Sequence, residues 1–101
     1  MTPEEFETAV RAECSALAYL LVEKNRAYGN SALDPVRVFS KASVEEQILV
    51  RIDDKISRLA RGSEAGEDVV LDLLGYLILL RVARQTPAGG KAPEGKKPAP
   101  G

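Results

Sequence analysis

From Val69 to Ala83 the chain is almost continuously apolar, with Asp72 its one acid and no proline. The stretch is too short for the roughly 20 residues a bilayer requires. It reads as a helix buried on most of its faces, because Val69, Val70, Leu71, Leu73 and Leu74 surround Asp72 around the whole circumference. A third helix of this kind, expected to begin near Ser63 or Glu64 and to run to about Arg84, needs partners on several sides.

Two further helices are legible upstream. Thr2 is a natural N-cap with Pro3 in the first helical position and Glu5 three residues on, a capping box. Phe6, Val10, Leu17, Leu20 and Leu21 keep the 3.6-residue period towards Tyr28, and Gly29-Asn30 supplies the stop. Residues 30–42, carrying Pro35, read as an irregular loop. Ser43 with Glu46 forms a second capping box, and Val44, Ile48, Ile52, Ile56 and Leu59 recur on one face until Gly62. No segment alternates with period two between turn signals. The expected fold is therefore all-α, a bundle of three main helices. Three helices are too few to cover the last one, so the core is expected to be completed by oligomerisation, as a dimer or tetramer.

Residues 85–101 hold four of the six prolines and four of the eight glycines, a composition expected to be disordered. Residues 1–84 form the expected domain. Removing the tail's three lysines and one glutamate from the totals of 14 basic and 15 acidic residues leaves this body with 11 basic and 14 acidic. Such a body is a poor match for a phosphate backbone, so no stable nucleic-acid complex is expected. The chain has no histidine. This excludes a Ser-His-Asp triad, a Cys-His pair and imidazole metal ligation, and leaves carboxylates, Lys, Arg and Tyr for any chemistry. Cys14 stands alone and no charged-then-apolar leader is visible, so a reduced, cytoplasmic setting without membrane association is the expectation.

Three clusters carry chemical potential. On the second helix Gln47, Arg51, Asp54 and Arg58 share a stripe within about 60° of one another, with Lys55 at its border with the apolar face. On the third, Glu64, Asp68 and Asp72 are spaced i, i+4, i+8. A buried carboxylate must be paired, coordinate a cation or protonate. Either a hard divalent cation such as Mg²⁺ holds this acid ridge together, or Asp68 and Asp72 form salt bridges to Arg51, Lys55 or Arg58. At the end of the first helix, Lys24, Asn25, Tyr28, Gly29, Asn30 and Ser31 offer an ammonium, an aromatic ring and amides. Lys24 and Glu13 both fall on that helix's apolar face, where solvated charges are out of place.

The series Glu23-Lys-Asn-Arg-Ala-Tyr-Gly-Asn-Ser31, Arg51-Ile-Asp-Asp-Lys-Ile-Ser-Arg-Leu59, then Glu64 with Asp68-Val-Val-Leu-Asp72 and Gly75-Tyr76, resembles the phage-associated nucleotide modification associated domain 1 family. That family is similar to the all-α NTP pyrophosphohydrolases typified by MazG and dimeric dUTPase. The resemblance, over about residues 15–84, implies an oligomeric helical protein and a Mg²⁺-dependent nucleoside triphosphate pyrophosphohydrolase acting on a dNTP or modified nucleotide in phage nucleotide metabolism. It implies Glu64, Asp68, Asp72 and Asp54 for metal, Arg51, Asp54, Lys55 and Arg58 for catalysis, and Lys24, Asn25, Tyr28, Gly29 and Asn30 around the nucleotide. The superfamily's Glu-x-x-Glu and Glu-x-x-Asp pairs on successive helices are not matched: Leu49 stands three after Glu46 and Val70 three after Glu67, while Glu64 and Glu67, three apart, fall at the expected start of the third helix with no Glu-x-x-Asp pair after them. Two alternatives stay open. One is a nucleotide kinase-like protein without a P-loop, for which similar domains are known; the other is a non-catalytic helical interaction module.

Overall fold

A computed structural model describes residues 1–33, 41–63 and 65–85. The expectations for residues 34–40, for Glu64 and for the tail beyond residue 85 lie outside the described residues. Among those described the fold is all-α: helix α1 spans Pro3–Ala27, α2 Val44–Arg61 and α3 Val69–Ala83. No helix among them is long and apolar enough to cross a membrane. The chain divides into two compact units, Met1–Asn30 and Ser31–Gly101.

The first unit is α1 with its caps. Thr2 Oγ1 accepts the Glu5 N–H at 3.0 Å while the Glu5 carboxylate accepts the Thr2 N–H at 2.8 Å, so two of the first-turn donors that a helix leaves unpaired are satisfied reciprocally. At the other end Gly29 N–H bonds the Arg26 carbonyl and Asn30 N–H the Asn25 carbonyl, the paired bonds of a Schellman closure. Asn30 holds φ 63°, and its side-chain oxygen accepts from the Asn25 amide at 2.7 Å, which helps a non-glycine residue stay in the left-handed region. No residue of α1 is buried.

The second unit is an α2–α3 hairpin. Ser43 Oγ accepts the Glu46 N–H at 3.0 Å, the serine half of the expected capping box. Gly62, at φ 71°, and Ser63 close α2 by bonding the Leu59 and Arg58 carbonyls. The two helices run antiparallel, because ion pairs join the start of α2 to the end of α3 (Glu45–Arg84, 3.0 Å) and the far part of α2 to the first turn of α3 (Lys55–Asp72, 3.2 Å). Val44, Ile48 and Ile52 bury against Leu80 and Ala83, with Leu33, Leu73, Tyr76 and Leu79 packed around them. Each large side chain removed from water in this way contributes about 1.5–3 kcal/mol. The outer faces of α3 still carry exposed Val70, Leu74, Leu77, Ile78 and Val82.

The third helix starts later than the sequence predicts. Gly66 takes φ 80°, which no helix allows, and the Asp68 carboxylate then caps the new start by accepting the Leu71 N–H at 3.0 Å. Asp68 and Asp72 therefore do not continue a helix running through Gly66. Asp68 precedes the first turn of α3, and Asp72 lies within it.

Candidate functional site

On α2, Lys55 occupies the same face as Val44, Ile48 and Ile52, at the position where the apolar seam runs out. Asp72 does the same on α3, in line with Tyr76 and Ala83. An ammonium and a carboxylate have thus replaced a pair of hydrophobes between facing helices. Their charged ends meet at 3.2 Å, and the Lys55 side chain is only 12% exposed.

Glu67 joins them from the turn between the helices. Its Oε1 accepts from Lys55 Nζ at 3.0 Å, and its Oε2 accepts from the Arg58 guanidinium. Arg58 Nε lies 3.3 Å from Asp54 Oδ2, one helical turn back. Asp72, Lys55, Glu67, Arg58 and Asp54 form a continuous chain of alternating charge, and no buried side-chain nitrogen or oxygen among the described residues lacks a partner. The hydrogen bond from Lys55 holds the Glu67 carboxyl below its ordinary 4.5 against partial desolvation, with the charges of Arg58 and Lys55 adding to it. Reciprocally, the bond to Glu67 raises Lys55 above 10.5 despite its desolvation, and Asp72 reinforces the shift.

The sequence-predicted residues fall into distinct places. Asp54, Lys55, Arg58 and Asp72 come together, as the salt-bridging alternative had it for Asp72 and Lys55. Arg51 is exposed and makes no ion pair among the described residues. Asp68 is exposed and engaged as a cap. Lys24, Asn25, Tyr28, Gly29 and Asn30 belong to the other unit, where Val22, Asn25, Arg26, Gly29 and Asn30 line a shallow open hollow and Tyr28 is 71% exposed. Glu67 is the member that sequence reasoning did not assign. Only the folded chain brings it to Lys55 and Arg58, twelve and nine residues back, so no local spacing marks it.

Among the described residues no three acidic or thiol side chains gather to hold an ion, since Asp54 faces Arg58, Asp72 faces Lys55 and Asp68 faces a backbone N–H. What the cluster offers is two cations in fixed positions, each already bound to oxyanions. Carboxylate and phosphate oxygens make the same charge-assisted bonds to such groups. No family model, no curated protein and no solved structure matches the chain.

Proposed function

We propose that the chain is a nucleoside triphosphate pyrophosphohydrolase-like protein whose phosphate site is the Lys55–Arg58 pair on α2. The supporting observation is that these two cations are presented together at the end of an apolar seam, with Glu67 bridging them through its two oxygens. In this reading the carboxylate bridge stands where phosphate oxygens bind. Arg51, exposed on the same side of α2, extends the basic row to a span of about 10 Å at 1.5 Å per residue, enough to follow a triphosphate. Mg²⁺ bound to the triphosphate would supply neutralisation of phosphate charge, while Lys55, Arg58 and Arg51 hold the phosphate oxygens. When phosphate takes Lys55 and Arg58, Glu67 loses the hydrogen bond that keeps its pKa low. It then becomes a better acceptor for the proton of an attacking water. Water adds to phosphorus, the bridging oxygen leaves with pyrophosphate, and a nucleoside monophosphate remains.

Incubating the full chain with each common NTP and dNTP plus Mg²⁺, with separation of products, tests this. The expected products are a monophosphate and pyrophosphate, with Arg58→Ala slower by about 100-fold, the scale of a lost electrostatic group at a transition state. Phosphate transfer to an added nucleotide acceptor would replace this reading with the kinase-like one. A second reading, a helical interaction module without catalysis, is favoured by the complete internal pairing of Asp72, Lys55, Glu67, Arg58 and Asp54. Absence of turnover together with absence of nucleotide binding would decide for it.

A further inference from the structure

Along α1, Phe6, Val10, Glu13, Leu17, Leu20, Lys24 and Ala27 are separated by steps of four and three residues in strict alternation, the spacing of a coiled-coil seam. No residue of this stripe is buried: Phe6 is 61% and Val10 44% exposed, and Leu17 and Leu20 are half-buried. Two of its positions are charged, one of each sign. Among the described residues neither Glu13 nor Lys24 makes an ion pair, whereas Glu7–Arg11 and Glu23–Arg26 on the same helix do.

We propose that α1 pairs antiparallel with α1 of a second copy of this chain, about a two-fold axis passing between residues 18 and 19, so that Glu13 meets Lys24 of the partner subunit. The same register sets Leu17 against the partner's Leu20 and Val10 against the partner's Ala27, apolar on apolar. Because the axis is two-fold, each ion pair occurs twice, once on either side of the leucine layers. Shifting the axis to residue 15 overlaps more of the helix. It also sets Glu13 against the partner's Leu17 and Lys24 against the partner's Phe6, desolvating four charges without partners. A parallel pair stacks Glu13 on the partner's Glu13. Only the register centred between residues 18 and 19 turns the two inward charges from a cost into a match, over a shared length of about 27 Å. The polar positions then fix orientation and register, their best-attested use in such seams. This interface does not rest on the nucleotide reading.

Sedimentation equilibrium on the full chain tests it. The wild-type chain is expected to dimerise at micromolar concentration, and Glu13→Lys and Lys24→Glu each to weaken dimerisation about tenfold or more, a cost of about 1.4 kcal/mol. An equimolar mixture of these two variants is expected to recover a heterodimer, since one then carries two lysines and the other two glutamates in the seam. The double variant Glu13→Lys/Lys24→Glu is expected to recover the homodimer. Circular dichroism on each variant reports whether α1 remains helical. A monomeric wild-type chain overturns the proposal and leaves the stripe to be covered within one chain. Dimers indifferent to the single exchanges, or variants that fail to recover on mixing, overturn the register.

Discussion

Lys55 and Asp72 meet at 3.2 Å from facing core positions of α2 and α3, so that the polar cluster begins where the hydrophobic seam of the hairpin ends. An ion pair in such a place is costly to break and cheap to replace. Removing one partner strands the other, whereas exchanging both for apolar groups restores packing without desolvated charge. We expect Lys55→Met to destabilise the protein by about 2 kcal/mol. The double variant Lys55→Met/Asp72→Leu should recover part of that loss, since Asp72 is no longer stranded while Glu67 keeps Arg58 but not its bond from Lys55. Urea unfolding of the two variants beside the wild type checks this.

The cluster also sets a pH signature. Glu67 has a folded pKa below its unfolded 4.5, so the unfolded state binds the proton first. Its stabilisation is complete above about pH 5 and disappears as the pH falls through the lowered folded value. Lys55 shifts upward from 10.5, so its contribution is complete below that value and is lost only as the pH rises through the raised one. Thermal melts are expected to show a plateau across the neutral range and a fall in Tm below about pH 4.5. Glu67→Gln should flatten that acid fall.

Asp68 separates two roles by a conservative exchange. As the N-cap of α3 it needs only a side-chain oxygen to accept the Leu71 N–H. Asp68→Asn should leave stability unchanged, and Asp68→Ala should cost about 1 kcal/mol. If Asp68→Asn abolished nucleotide turnover while stability held, the carboxylate charge would be acting on substrate or metal.

The helix starts and stops were largely open to reading because they depend on local chemistry. Thr2-Pro3 with Glu5, Ser43 with Glu46, and Gly62 each satisfy backbone groups through residues at fixed short offsets. The start of α3 was misread for the same reason in reverse. Acids at i, i+4 and i+8 imitate a helical ridge, but Gly66 in the left-handed region ends that continuity and no spacing rule reports its φ. In the site, Lys55 and Asp72 could be found because charges on core faces demand partners. Glu67 could not, because its contacts with Lys55 and Arg58 are tertiary and follow from no local spacing.

The central claim is that Lys55 and Arg58 receive phosphate. Isothermal titration calorimetry of the full chain with each dNTP, in the presence and absence of Mg²⁺, measures that directly. The account predicts saturable binding of at least one dNTP that strengthens with Mg²⁺ and is lost in Arg58→Ala, a variant whose fold can be verified by its melting curve. Binding unaffected by Arg58→Ala, or no binding heat with any dNTP under either condition, would contradict it.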